Sequence, residues 1–271
     1  MDQAMIKLHA KNIRKNALKM IAKAGSGHPG GSLSIADILS VLYFDKMNVN
    51  PQKPQMDNRD RLVLSKGHGA PGLYAALYEK GYFDSKELES LRQVNSMLQG
   101  HPDMKGTPGV DMTTGSPGQG LSAATRMAHG AKYQKAEYTV YAIIGDGEVQ
   151  EGQIWEAAMA ASHYKLDNLI VFMDHNGLQI DGNNNDVMRI EPICDKFEAF
   201  GWEVIGIDGH NIEQISNAID KAKTIKEKPI LICAKTIKGK GISFMENKFG
   251  WHGVAPKPEE LEKALEELER V

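Results

Sequence analysis

The sequence predicts an α/β chain, a parallel sheet with helices on both faces. Two observations carry this. Apolar stretches at 139–144, 169–173, 203–207 and 230–234 alternate with helical patterns near 151–164, 187–200 and 211–226. Strands buried on both faces read as continuous apolar runs, and strand–helix alternation produces parallel pairing. Second, each apolar stretch runs into a short polar or glycine-bearing turn: Gly145-Asp146-Gly147, Asp174-His175-Asn176, Asp208-Gly209-His210 and 235–241. Those turns sit at the carboxyl ends of the strands, where ligands of open parallel sheets collect.

The elements follow in order. Ile6, Ala10, Ile13, Ala17 and Met20 recur at three or four residues and predict an amphipathic first helix, stopped by the glycines between 25 and 31. A second helix is expected from Ile35 to Lys46, with Ser32 or Ser34 as its cap. A polar, proline-bearing loop (48–60) precedes a short strand at 61–65, and helical stretches at 73–80 and 85–94 lead into a glycine- and proline-rich loop over 100–120. A helix at 121–134 opens the regular part, and Pro256 to Val271 reads as a charged amphipathic helix with no place in the sheet, a tail or the start of a linker.

Composition narrows the class. The chain has 271 residues, 41% hydrophobic and 25% charged, as soluble globular proteins do, and a net charge of −3 gives no general attraction to nucleic acid or anionic membranes. No apolar run approaches bilayer length, and the charged N-terminal helix lacks the apolar core of a signal peptide. Two cysteines, Cys194 and Cys233, are too few for a disulfide scaffold; Cys233 reads as a buried free thiol and a reducing cytosol as the compartment.

The chemistry concentrates between Thr139 and Gly182. Asp146 and Asn176 leave the ends of two strands of one βαβ unit. Either alone would read as a turn residue. Together they offer a carboxylate and an amide oxygen to one hard cation. Mg²⁺ (or Ca²⁺ or Mn²⁺) takes oxygen ligands and is usually completed by substrate phosphates and water. The carbonyl of Leu178 would be a third ligand. Gly145 and Gly147 allow close backbone approach, and a helix starting near Glu151 aims its N-terminus at the same place, favouring a phosphate.

The flanks carry a family resemblance. GSGHPGGSLS (25–34), LSKGHGAPGLY (64–74), QGHPDMKGTPGVDMTTGSPGQG (99–120), GDGEVQEGQIWEA (145–157), DHNGLQIDG (174–182) and WHGVAP (251–256) together resemble transketolases, in collinear order over nearly the whole chain. The resemblance implies a thiamine diphosphate-binding fold of the PP type over 1–256, with 257–271 as a helical tail. It implies thiamine diphosphate and Mg²⁺ as cofactors, with Asp146, Asn176 and Leu178 on the metal and His68, Gly115, Pro117, Gly145, Asp146, Gly147, Glu151, Asn176 and His252 around the cofactor. One departure is visible. Transketolases typically read TTG-x-LGQG where this chain has Ser116-Pro117 before Gly118, and proline lacks the N–H that another residue would offer there.

Four of nine histidines, His28, His68, His101 and His252, lie in glycine- or proline-flanked loops, where binding side chains concentrate. The resemblance implies that all four converge on the thiazolium ring and the donor sugar, with His68 and His252 nearest the diphosphate and C2 and His28 and His101 at the sugar's terminal hydroxyls. His9, His129, His163, His175 and His210 read as structural or solvated. Residues 25–30 formally match G-x-G-x-x-G, but a helix precedes them, so the dinucleotide reading fails; 235–241 lack the P-loop order and read as a solvated basic loop.

What the family needs and these residues do not supply is the pyrimidine-binding domain and the arginines that grip sugar phosphate. The expected protein is therefore the N-terminal subunit of a two-component transketolase, moving a two-carbon ketol unit between sugar phosphates. It would work with a C-terminal subunit in an α₂β₂ assembly, itself pairing as a homodimer. The opening Met1 and charged terminal helix favour this over a fragment. The competing readings are half of a 1-deoxyxylulose-5-phosphate synthase-like or other thiamine enzyme, and a non-catalytic cofactor-binding homologue.

Overall fold

The computed structural model describes residues 2–270. Its sheet has five parallel strands: β1 (Arg61–Leu64), β2 (Val140–Gly145), β3 (Leu169–His175), β6 (Glu203–Asp208) and β7 (Ile230–Lys235), in the order β1-β2-β3-β7-β6. A two-stranded antiparallel ribbon, β4 (Leu178–Gln179) with β5 (Gly182–Asn183), projects beyond β3.

Strand side chains alternate between two apolar layers, as the two-residue period requires. Tyr141 and Ile143 of β2, Ile170 and Phe172 of β3, and Ile230 and Ile232 of β7 join one layer with Ile13, Ala17, Leu39 and Leu77. That layer is roofed by α1 (Gln3–Ala24), α3 (Ala36–Val41), α4 (Ala70–Lys80) and α9 (Ile212–Thr224). Val140, Ala142 and Ile144, Val171 and Met173, and Leu231 and Cys233 join the other, covered by α5 (Gln119–Gln134), α6 (Gly152–His163) and α8 (Ile193–Ala199). This is the α/β sheet with helices on both faces that the strand–helix alternation predicts.

Several elements differ from the sequence expectation, each for a local reason. The helix expected over 35–46 is α3 followed by a wide π turn over Leu42–Lys46, and a separate short helix, α2 (Pro29–Leu33), precedes it. Neither serine caps it: Ile35 is the N-cap of α3, while the Ser34 hydroxyl donates to Asp174 at 2.7 Å. The stretch 85–94 forms only a 3₁₀ turn at Ser85–Ser90, because Arg92 and Asn95 adopt left-handed φ of 62° and 66°. The pattern over 187–200 yields one helical turn, α7 (Asn184–Val187), and then α8, interrupted by Pro192.

The closing helix, α10 (Pro258–Glu269), lies outside the sheet but is docked. Ala264 and Leu268 are buried against Leu18 of α1, Leu33, Ile242 and Met245. Lys15 pairs with Glu269, and Glu267 accepts from both the backbone N–H and the hydroxyl of Ser243.

Candidate cofactor site

The carboxyl ends of β1, β2, β3 and β7 open into one cavity of about 230 Å³. It is lined by Lys66 after β1, Asp146 and Gly147 after β2, Asn176 and Leu178 after β3, and Lys238 after β7, with His68, Pro117, Gly145, Glu151 and His252 completing the wall. Adjacent parallel strands bring residues far apart in sequence to one rim, since every strand ends on the same side.

Asp146 is 2% exposed. Its Oδ1 accepts the N–H of Gly147 at 2.8 Å and its Oδ2 that of Gly177 at 2.5 Å. Burial pushes its pKa up, and the neighbouring Asp174 carboxylate adds to this. The Oδ1 of Asn176 accepts the N–H of Leu178 at 3.1 Å, while its amide nitrogen donates to Asp174 at 3.2 Å, so the amide oxygen is held beside the same turn. The Leu178 carbonyl faces the Lys238 ammonium at 3.4 Å, and that ammonium is also 3.1 Å from Nδ1 of His252. A cationic group thus already stands at the carbonyl.

Lys238 corrects a sequence expectation. The basic loop 235–241 reads as solvated, yet Lys238 is 2% exposed and part of the cavity wall. Burial, reinforced by Lys66, lowers its pKa to about 8. Lys238 follows β7 by three residues, and the loop folds back so that the N–H of Gly239 donates to Gly30 at 3.1 Å. Sequence alone offered no signal for which lysine turns inward.

Beneath the cavity lies a network that sequence reading missed. The carboxylate of Asp174, fully buried, accepts from Lys66 at 2.5 Å, from Ser34 and from Thr236. Lys66 also donates to the Gly31 carbonyl at 2.9 Å. Burial raises the Asp174 pKa, but the Lys66 ammonium outweighs it and holds the carboxyl below its usual range. Glu148 forms a second hub. It accepts from the Ser65 hydroxyl, from the N–H of Gly118 at 2.7 Å and from that of Gly145 at 2.9 Å. The donor anchoring the 115–120 loop is therefore Gly118, with φ of 87°, and not residue 117. Pro117 lies exposed at the cavity edge.

Three of the four loop histidines meet. Ring centroids of His28 and His68, His28 and His252, and His68 and His252 are 5.4, 5.4 and 5.0 Å apart. His68 and His252 line the cavity; His28 lies further out, its Nδ1 3.5 Å from Arg92. His101 is exposed beyond it, beside Gly115. Of the others, His210 bridges Asp37 (2.7 Å) and the N–H of Ile237 (2.8 Å), and His9 stacks on Phe44, both structural.

Burial and the cations around them keep the clustered imidazoles neutral. Burial first, then Arg92, His101, Lys238 and Lys66, lowers His28 to about 4; burial, then Lys238, His28 and Lys66, lowers His252 to about 3. An unfolded chain takes up these protons near pH 6.5, before the folded one, so the stability is complete above 6.5 and is lost as pH falls through about 4 and 3. The thermal midpoint of the chain is expected to fall on acidification from pH 6.5 towards 4, and His28→Asn and His252→Asn to flatten that slope. A slope unchanged in both variants would contradict the assignment.

The residues fit a metal-bound diphosphate. A buried carboxylate with a raised pKa, an amide oxygen and a carbonyl stand on one side. Lys238, His68, His252 and the Nε2 of Gln179, buried without a partner, stand around the rest. Oxygen ligands for a hard cation beside donors for an anion match that chemistry.

Known proteins are similar to this chain over nearly its whole length. The family profile for the transketolase thiamine diphosphate binding domain matches residues 5–269. The chain is 50% identical over 269 residues to the 6-deoxy-6-sulfo-D-fructose transketolase subunit SqwG of Clostridium sp. (strain MSTE9), covering 99% of this chain and 98% of that protein. It is 43% identical to human transketolase, covering 96% of this chain but 41% of that one. The crystal structure of transketolase from Campylobacter jejuni superposes with a TM-score of 0.94 at 38% identity, covering 99% of this chain and 43% of that one.

Proposed function

This chain belongs to the transketolase family and carries its thiamine diphosphate-binding domain, and we propose that it is the N-terminal subunit of a split transketolase using Mg²⁺. The reading rests above all on one observation: Asp146, Asn176, the Leu178 carbonyl, His68 and His252 border one cavity at the strand ends. A relative of matching length is named as a transketolase subunit, which supports a separate partner carrying the pyrimidine-binding domain.

In this proposal Asp146, Asn176 and the Leu178 carbonyl hold the cation, and Lys238 yields its place at that carbonyl. Gly145, Gly147 and the backbone start of α6 at Glu151 border the diphosphate, with Gly115 and Pro117 closing the loop beside it. Thiamine diphosphate, when bound, would supply an acidic ring carbon that, once deprotonated, is a nucleophile for a ketose carbonyl. His68 and His252, neutral and nearest that region, exchange hydrogen bonds and protons with the sugar's reacting hydroxyls. His28 and His101, lying outward, meet its distal hydroxyls. The reaction is transfer of a two-carbon ketol unit between sugars with an anionic terminus, in the cytoplasm, within an α₂β₂ assembly. Among the described residues no helix is long and apolar enough to cross a membrane.

The test mixes purified chain with its candidate C-terminal subunit, thiamine diphosphate and Mg²⁺, and follows ketose-to-aldose transfer across phosphorylated and sulfonated sugars. Activity is expected only from the mixture. Full activity from this chain alone would end the split-subunit reading.

A further inference from the structure

The two cysteines meet behind the cofactor turn. Cys194 lies in the first turn of α8; Cys233 lies in β7, paired in register with Met173 of β3. Their Sγ atoms are 2.7 Å apart. Closing to a covalent bond needs a shift of only about 0.7 Å. Cys233 is buried while Cys194 is half-buried, so one sulfur is open to a small oxidant and the other is reached through it.

Nδ1 of His175 is 3.5 Å from the Cys233 sulfur, and its Nε2 is 2.7 Å from Glu191. The second oxygen of Glu191 accepts the Ile193 N–H at 2.9 Å, which fixes the carboxylate next to Cys194 in the chain. The arrangement is a thiol pair with an imidazole ring against one sulfur and a carboxylate holding that ring. The hydrogen bond between the two sulfurs lowers the Cys194 pKa, against burial and the charges of Glu191, Asp195 and Glu198, which raise it. Cys194, the less buried of the two, is the better nucleophile. None of these four residues lines the cofactor cavity.

We propose that Cys194 and Cys233 form a dithiol site that a hydroperoxide converts reversibly to an intrachain disulfide. Cys194 releases its proton to solvent and the thiolate attacks a peroxide oxygen; the O–O bond breaks, hydroxide or alkoxide leaves and takes a proton from solvent, and Cys194 becomes a sulfenic acid. The Cys233 sulfur attacks the sulfenic sulfur; the S–S bond forms as the S–O bond breaks, and the departing hydroxide takes up the Cys233 proton to leave as water. Two thiols lose two electrons and two hydrogens, and one hydroperoxide is reduced. A thiol reductant reverses the change by exchange. His175 is the residue before Asn176, so closing the bridge removes a thiol partner from the turn that bears the proposed metal ligand.

The test treats the full-length native chain with hydrogen peroxide and follows intact mass, free thiols and non-reducing electrophoresis. Expected are loss of two hydrogens, disappearance of both thiols within a single chain, and full reversal by dithiothreitol. Cys233→Ser should stop at a sulfenic acid that dimedone traps on Cys194. Persistence of two titratable thiols under excess peroxide, or bridges only between chains, would overturn the proposal. These readouts need no cofactor or partner, so they stand apart from the transketolase activity assay.

Discussion

Replacing Asp146 by alanine is expected to abolish Mg²⁺-dependent binding of thiamine diphosphate in the assembled enzyme. Loss of an outer-shell group alone weakens metal sites by about 10–100-fold, and removal of the proposed carboxylate ligand should exceed that. The folded chain should tolerate the change better than the ligand does. The substitution deletes two hydrogen bonds, to the N–H groups of Gly147 and Gly177. It also removes a buried charge that burial and Asp174 already disfavour. These effects oppose each other in stability, whereas nothing offsets the loss in binding. Calorimetry with thiamine diphosphate, with and without Mg²⁺, gives the binding readout, and circular dichroism confirms the fold. An unchanged affinity would mean that the metal ligands lie elsewhere.

Lys66→Met is expected to give the largest loss of stability. Lys66 and Asp174 are 2% and 0% exposed, and the ammonium donates to the carboxylate at 2.5 Å. Methionine keeps most of the length and apolar volume but leaves Asp174 charged, buried and without its cation. Breaking such a pair from one side costs about 3–5 kcal/mol. In a chain of this size each kcal/mol lowers the midpoint by about 2–4 °C, so the thermal midpoint should drop by roughly 10 °C. Adding Asp174→Asn to Lys66→Met should recover part of the loss, because the stranded charge is gone while Ser34 and Thr236 still have a partner. A wild-type midpoint in Lys66→Met alone would show that the pair carries no such weight. Cofactor affinity should fall with the pair as well, since Asp174 accepts from the Asn176 amide.

Much of the architecture was legible along the chain because its signals are local. The runs 139–144, 169–173 and 230–234 are apolar on both faces, and only strands covered on both sides use such runs. The misreadings came where a local pattern met a constraint from elsewhere. Ser34 has the chemistry of a cap, but the buried Asp174 carboxylate is a stronger acceptor, and the serine serves it instead. The apolar periodicity over 187–200 is present, yet Pro192 restricts the helix to 193–199.

The candidate site divides in the same way. Asp146 and Asn176 were identifiable from sequence because two successive strands of one βαβ unit must end side by side, and glycine-flanked loop histidines stand out as unusual residues in unusual places. Lys66, Lys238, Glu148 and the paired cysteines were not. Lysines and glutamates on loops are ordinarily solvated, and whether one turns inward depends on a partner supplied by another strand end: Asp174 for Lys66, the Leu178 carbonyl for Lys238, and the N–H groups of Gly118 and Gly145 for Glu148. Cys194 and Cys233 are 39 residues apart and come together only because β7 inserts between β3 and β6. By itself the sequence determined the layered sheet and the placement of Asp146 and Asn176 at neighbouring strand ends. Tertiary structure decided which charges are buried together, because periodicity and composition record the environment of a residue and not the identity of its distant neighbour.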